Sequence, residues 1–158
     1  MFKVGDRVVY PMHGAGVIES IDEREILGRR QRYYIMRLPI GDMKAMIPID
    51  NVDEIGLREV ISEDEVPRVL EVLRSRETEM SSNWNRRYRA NMEKIKSGNI
   101  YEVAEVVRNL VRRQQQKGLS TGERKMLDSA RQILVSEIVL AQGIGEEQAN
   151  SLLDEALA

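Results

Sequence analysis

The sequence predicts an α+β chain of two domains, a small β-barrel followed by an all-α domain of about five helices. In residues 1–55, short apolar runs recur about ten residues apart between glycine and proline turns, a pattern typical of a small barrel. From Ser62 onward the apolar residues recur with helical spacing. The 158 residues are enough for two small domains, which we place at 1–58 and 62–158.

Four strands are predicted in the first domain. They cover residues 7–10, 16 toward 26, 31–38 and 43–48. The turns between them lie at 11–16, at Gly28 and at Gly41-Asp42. A barrel of this size has no room for an interior ligand cavity. We therefore expect its function to lie on its outer surface or on an exposed strand edge.

The helices of the second domain are predicted from their capping residues. Ser62 and Glu65 have the spacing of a capping box, but Pro67 fits only a first turn, so the first helix begins after the box. The later helices have start and end signals of the same kind. These signals are Asn99 with Glu102 and Gly118, Ser120 with Glu123 and Gly143, and a last start near Glu146.

The remaining helix contains Trp84, the only tryptophan of the chain. Ser81 or Ser82 is the predicted N-cap, and Gly98 ends the helix in a left-handed conformation. An apolar stripe follows from the helical spacing of Trp84, Tyr88, Met92 and Ile95. Such a stripe is more often core. However, Trp84 is its outermost member, so its ring is also placed to meet the bases of a nucleic acid.

Composition restricts the class of protein. Charged residues make up 32% and hydrophobic residues 42% of the chain, no apolar run is long enough to span a bilayer, and the N-terminus lacks a signal-peptide pattern. We therefore expect a cytoplasmic protein without a membrane partner. The absence of cysteine excludes thiolate metal sites and thiol catalysis.

No catalytic constellation is predicted. His13 is the only histidine, and it lies in a glycine-flanked turn where a structural role is more common. The acidic clusters lie in a strand-and-turn region and at a helix start, where acids favour the helix dipole. No phosphate-binding glycine loop with a lysine occurs. We therefore expect a protein that is not an enzyme and needs no metal or cofactor.

The net charge of −2 conceals a basic segment. Residues 86–131 contain 12 cations and 5 acids, a net charge of +7. Local charge of this kind, rather than the pI, favours contact with nucleic-acid phosphates. The candidate phosphate contacts are Arg86, Arg87, Arg89, Arg124 and Lys125. For the other cations Arg108, Arg112, Arg113 and Lys117 we expect ordinary solvation.

One specific block of the sequence is Asn83-Trp84 followed by Arg86-Arg87-Tyr88, placed after a β domain. Together with several other blocks over essentially the whole chain, it resembles one family, the CarD/CdnL-type bacterial transcription regulators. The opening Val4-Gly5-Asp6 and Val8-Val9-Tyr10-Pro11 also resembles the polymerase-interacting domain of transcription-repair coupling factors. Further matching blocks are Phe2-Lys3, His13-Gly14, Asn91, Ser97-Gly98, and residues 103–108, 118–120 and 130–134.

The resemblance implies a Tudor/SH3-like N-terminal barrel that binds the RNA polymerase β subunit, and a helical domain that touches promoter DNA at the upstream edge of the melted region. In the family a tryptophan acts as a minor-groove wedge, an apolar ring inserted at a base step, and it corresponds to Trp84. Two basic positions correspond to Arg89 and Arg124. The expected protein is a monomer that stabilises the open promoter complex with little sequence preference and is nucleoid-associated through the polymerase.

The polymerase contacts of the family are only partly retained. One arginine position corresponds to Arg24, but Met46 stands where the family has a second arginine. Lys44 lies two residues earlier and therefore on the same face of its strand, where it could substitute. Two other classes stay open on the sequence alone, an RNA- or ribosome-binding protein and a protein–protein adaptor whose Trp84 is core.

Overall fold

The computed structural model describes residues 1–158. Its N-terminal part is a five-stranded antiparallel sheet with the strand order β4-β3-β2-β1-β5. The strands are β1 (Arg7–Tyr10), β2 (Gly14–Ile26), β3 (Arg29–Leu38), β4 (Met43–Pro48) and β5 (Arg58–Glu59). The four predicted strands are confirmed, with β2 and β3 each beginning two residues earlier than expected. The sequence did not indicate β5, because two residues are too few to show a period.

Cross-strand register assigns the two faces of the sheet. One face forms the core of the β domain, which includes Val8, Ile18, Tyr34, Met36 and Ile47. The pairing of β2 with β3 shifts between Ile18 and Ser20, which marks a β-bulge there. Strand β2 is mostly buried up to Ile18 and half-buried or exposed beyond the bulge, where β2 and β3 form a long hairpin.

A short helical segment connects β4 to β5. A 3₁₀ turn (Ile49–Asn51) leads into α1 (Val52–Ile55), which Gly56 ends in the left-handed region at φ 79°. The chain after Gly56 then places β5 beside β1, with Val8 opposite Glu59 and Val9 opposite Arg58. Because this pairing uses residues 58 and 59, the β domain includes Glu59, one residue beyond the predicted end of the first domain.

The helical part contains the five predicted helices. They are α2 (Val66–Arg74), α3 (Trp84–Lys96), α4 (Ile100–Gln116), α5 (Thr121–Gln142) and α6 (Glu146–Leu157). The capping box of Ser62 and Glu65 is present, and it caps a 3₁₀ turn that precedes α2, as the position of Pro67 indicated. The predicted class, a small Tudor/SH3-like β domain followed by an all-α domain, is confirmed.

Most helix ends are also confirmed. Asn99 caps α4, Ser120 and Glu123 form a capping box on α5, and the glycines after α3, α4 and α5 have positive φ. The predicted cap of α3 is wrong, because the Asn83 side chain, not Ser81 or Ser82, accepts a hydrogen bond from the Arg86 amide. All three residues are good N-caps, so the choice depends on backbone geometry.

The helices share one core of 22 buried residues. It is formed mainly by α2, α4, α5 and α6, and α3 contributes Ile95 as its only apolar residue that is fully buried. Helix α3 therefore lies at the edge of the helical domain, and the start of α3 projects beyond the core. No helix of the chain combines the length and apolarity that a membrane span requires.

Candidate nucleic-acid interface

The buried face of α3 differs from the predicted stripe. The residues that point inward are Arg87, Asn91 and Ile95, spaced four apart, whereas Tyr88 and Met92 are only partly buried. The predicted stripe is therefore rotated by one residue at its N-terminal end. Hydrophobic periodicity could not show this, because two of the three inward residues are polar.

The Trp84 ring is exposed and held in place. It opens α3, is 41% exposed, and stacks on Tyr88 with ring centroids 5.0 Å apart and planes inclined by 19°. Its Nε1–H donates to the Ser120 hydroxyl at 2.9 Å. Gly122 lies beneath the ring, since a Cβ there would be 3.5 Å from Trp84 Cζ2. The ring is thus a fixed apolar surface at the edge of the domain, and not part of the core.

Ser120 connects the Trp84 ring to a buried ion pair. Its hydroxyl accepts from Trp84 and from the Glu123 amide at 3.1 Å, and it donates to Glu123 Oε1 at 3.2 Å. One donor and two acceptor positions are the full capacity of a hydroxyl. The hydroxyl can therefore rotate only by breaking one of these bonds.

Arg87 is the second partner of Glu123. Its Nε and Nη2 donate to the two carboxylate oxygens at 2.8 and 3.2 Å, and its Nη1 donates to the Ser81 carbonyl at 3.1 Å. The Arg87 hydrogen bond lowers the pKa of Glu123, against the opposing effect of burial. Arg87 and Glu123 are 4% and 2% exposed. The prediction that Arg87 contacts phosphate is therefore wrong, because its guanidinium is buried against Glu123.

Four of the predicted cations remain accessible. They are exposed, and their side chains take part in none of the ion pairs of the structure. The four are Arg86, Arg89, Arg124 and Lys125. The first two lie near the start of α3 and the last two near the start of α5. Trp84–Ser120 and Arg87–Glu123 join these two helix starts, so the ring and the four cations all lie at one junction of the domain, which we call the Trp84 surface.

The other cations of the basic segment have structural roles or lie elsewhere. Arg108 was expected to be solvated, which is wrong: it is buried and donates to the Val72 carbonyl and to Asn109. Arg112 donates to the Leu157 carbonyl at 2.9 Å. Lys94 and Arg131 pair with Glu105 and Asp154, respectively. The net charge of the segment therefore overstates the positive charge that a polyanion can reach.

The three predicted polymerase contacts lie on one face of the β domain. Strand pairing places Arg24 opposite Gln31, Met46 opposite Ile35, and Lys44 opposite Arg37. Gln31, Ile35 and Arg37 alternate along β3 and therefore share a face, which is opposite to the core face. Arg24 and Lys44 form exposed ion pairs with Asp22 at 3.6 Å and Glu19 at 3.2 Å. Exposed ion pairs of this kind contribute little to stability, and their side chains can exchange partners.

Sequence reasoning missed the residues that hold the Trp84 ring. Ser120 was predicted only as a helix cap, and Glu123 only as its capping-box partner. The residues Tyr88 and Gly122 were not assigned a role in supporting the ring. A usable indication was present for Ser120 and Glu123, since a capping box fixes the positions of both side chains in advance.

Comparisons with known proteins assign the family. Residues 2–61 match the CarD-like/TRCF RID domain, and residues 68–154 match the CarD C-terminal domain. The chain belongs to the CarD-like transcription factor family. The match to the first domain points to interaction with RNA polymerase.

Two relatives illustrate the similarity. YdeB of Bacillus subtilis (strain 168), whose name describes it as a candidate transcription factor, is 42% identical over 151 residues, which cover 96% of this chain and 99% of YdeB. The 72-residue N-terminal domain of Myxococcus xanthus CarD, solved by NMR, is 36% identical and aligns with 37% of this chain and 79% of that domain, with a TM-score of 0.33. The family assignment rests on the two domain matches and on YdeB.

Proposed function

We propose that this protein is a non-enzymatic transcription regulator that binds the RNA polymerase β subunit through its β domain and stabilises the open promoter complex through its helical domain. The observation that carries the proposal is the Trp84 surface, where a fixed apolar ring stands among four accessible cations. That combination suits the minor groove, where apolar side chains enter at distorted base steps and cations hold the adjacent phosphates.

The proposed DNA contacts are Trp84 with Arg86, Arg89, Arg124 and Lys125. None of these cations has a carboxylate partner to give up before it meets a phosphate. The residues Arg124 and Lys125 lie near the positive end of the α5 dipole, where a cation opposes the dipole and an anion would bind favourably. Contacts of this kind attach to the backbone and read little sequence.

The proposed polymerase contacts are Arg24, Lys44 and Met46. They share the face of the sheet that does not form the domain core, so a partner can reach them without disturbing the fold. Met46 is an exposed, flexible apolar side chain and Lys44 is close to it in the strand, so an apolar contact with a flanking cation replaces the arginine of the family.

Attachment to the polymerase makes weak DNA contact sufficient. A protein bound to the polymerase holds its DNA-binding surface at a high effective concentration beside the promoter. A wedge that fits the melted junction better than the closed duplex then lowers the free energy of the open complex. In this proposal the protein acts as a cytoplasmic monomer, nucleoid-associated through the polymerase and without a cofactor.

The proposal is tested by the lifetime of open complexes. Polymerase holoenzyme and promoter DNA are preincubated with or without the protein, a polyanion competitor is added, and the surviving open complexes are measured over time. The proposal requires slower decay with the protein. A pull-down from host lysate tests the partner: enrichment of ribosomal proteins without polymerase subunits would contradict the proposal.

A further inference from the structure

An ion pair joins the two domains. Arg58 of β5 donates from Nη1 and Nη2 to the two carboxylate oxygens of Glu137 in α5, both at 2.7 Å. Glu137 is 1% exposed, and its Oε2 also accepts from the Ile61 amide at 2.9 Å. One carboxylate of the helical domain thus binds the last strand of the β domain and the start of the connecting segment.

Arg58 also binds the end of the helix that begins with Trp84. Its Nε donates to the Gly98 carbonyl at 2.7 Å, and Gly98 directly follows the C-cap of α3. Gly98 packs against the β domain a second time, because a Cβ at this residue would be 3.0 Å from Pro11 Cγ. Every nitrogen of the Arg58 guanidinium therefore has a partner, and these partners span both domains.

The residue before Glu137 makes a second contact between the domains. The Ser136 hydroxyl accepts from the Ala15 amide at 2.8 Å and donates to the Ile133 carbonyl at 2.6 Å. Gly14 lies against it, because a Cβ at Gly14 would be 2.9 Å from Ser136 Oγ. Two successive residues of α5 therefore hold β2 and β5, which are separate strands of the sheet.

The geometry of these contacts restricts rotation between the domains. A bidentate arginine–carboxylate pair fixes the relative orientation of two planar groups, whereas a single hydrogen bond leaves rotation about its axis. A buried carboxylate also requires its partners, since removing one leaves an uncompensated buried charge. The Arg58–Glu137 pair differs in this respect from Arg24–Asp22 and Lys44–Glu19, which are exposed and lie within the β domain.

We infer that Arg58 and Glu137 are positioning residues that hold the β domain and the helical domain in one orientation, so that the chain bridges its two partners as a single unit. The consequence for open complexes rests on the proposed function. The fixed orientation is independent of the proposed function, because it follows from contacts within the chain. A rigid bridge presents Trp84 at one place relative to the polymerase-binding face, whereas a flexible tether would present it over a range of positions.

The orientation is measurable because the chain contains no cysteine. Asp53→Cys in the β domain and Glu93→Cys in α3 introduce two exposed labelling positions. Spin labels at these positions report the distance between the domains by pulsed electron double resonance. The otherwise unchanged chain is expected to give one narrow distance distribution.

Two variants disturb the ion pair in different ways. Glu137→Gln keeps the shape of the side chain and removes its charge, and Arg58→Lys keeps the charge and removes the bidentate geometry. Both are expected to broaden the distribution, and Arg58→Lys changes a partly exposed residue, so it tests the inference even where Glu137→Gln does not fold. Asp154→Asn is the matched control, because it breaks the Arg131–Asp154 pair within the helical domain, at 2.7 Å.

The outcomes separate the two proposals. A narrow, unchanged distribution in both folded variants would overturn the inference. A broad distribution with normal polymerase binding and shorter-lived open complexes supports it in full. A broad distribution with unchanged lifetimes would refute the link between orientation and open complexes. If the unmodified protein does not prolong open complexes, the proposed function fails while the distance measurement still decides the orientation.

Discussion

The indole nitrogen of Trp84 donates to the Ser120 hydroxyl that caps α5. The exposed ring at the start of α3 is thereby attached to the start of the helix that carries Arg124 and Lys125. A ring with this attachment loses little further side-chain freedom when it enters a groove, which lowers the entropic cost of binding. The helix cap and the candidate wedge therefore depend on the same oxygen atom.

Replacing Ser120 is expected to affect both roles. Ser120→Ala should reduce the free energy of unfolding by about 1 kcal/mol, the usual cost of a lost N-cap, and should also make the Trp84 ring more mobile. Chemical denaturation measures the first effect, and the fluorescence anisotropy of the single tryptophan measures the second. Asn99→Ala is the control, because it removes the cap of α4 without touching Trp84. Equal tryptophan anisotropy in both variants would contradict this role of Ser120.

Neighbouring arginines on α3 are expected to behave differently. Arg87→Ala leaves Glu123 buried and unpaired, so it should cost roughly 3–5 kcal/mol of stability.

Arg86→Ala should change stability by no more than about 0.5 kcal/mol. It should weaken binding to duplex DNA and reduce the salt dependence by about one phosphate contact. Denaturation together with DNA titrations at several salt concentrations checks both. A sequence-selective footprint by the free protein would contradict phosphate-dominated contact.

The Arg87–Glu123 pair also predicts a response to acid. The pKa of Glu123 is lowered in the folded state, chiefly by the hydrogen bond from Arg87, so its contribution to stability is present above the unfolded pKa near 4.5. That contribution is lost as the pH falls from about 4.5 through the folded pKa. The difference in unfolding free energy between the unmodified protein and Glu123→Gln should therefore shrink on acidification. A difference that stays constant down to the acid transition would show that Glu123 ionisation does not stabilise the fold.

Most of the framework could be predicted, because it depends on local rules. The capping box of Ser120 and Glu123 and the left-handed glycines after α3, α4 and α5 are set by neighbours in the sequence. The partner of Arg87 could not be predicted, because Glu123 lies 36 residues away. Arg86, Arg87 and Arg89 are alike in composition, and only the packing of α3 on α5 makes one structural and leaves the others exposed.

The domain contact was unpredictable for the same reason. Arg58 lies in a strand of two residues, and its partner Glu137 follows 79 positions later in the C-terminal part of an amphipathic helix. A glutamate among apolar residues has no periodic signature of its own. The structural roles of Ser136 and Gly14 likewise depend on the close approach of α5 to β2.

Charge reversal on the proposed polymerase-binding face is expected to weaken polymerase binding and leave the fold intact. Arg24→Glu should weaken binding to the isolated β subunit and leave the unfolding free energy nearly unchanged, because its pair with Asp22 is exposed and worth at most about 1 kcal/mol. Calorimetric titration measures the affinity, and circular dichroism checks the fold. Arg68→Glu, the same reversal at an exposed residue of α2, is the control. Equal affinity of Arg24→Glu and the unmodified protein would exclude Arg24 from the interface.

The proposed wedge role is tested by replacing Trp84. The ring is partly exposed, so Trp84→Ala should cost about 1–2 kcal/mol for the lost stacking and hydrogen bond, less than the roughly 3–5 kcal/mol of a buried tryptophan. Trp84→Phe should retain part of the function, since wedging depends on an apolar face.

The lifetime of open complexes formed with Trp84→Ala tests the central claim most directly. The variant should bind polymerase normally, because the β domain is unchanged, and its open complexes should decay faster than those of the unmodified protein, with Trp84→Phe intermediate. A normal lifetime with folded, polymerase-bound Trp84→Ala would contradict the account.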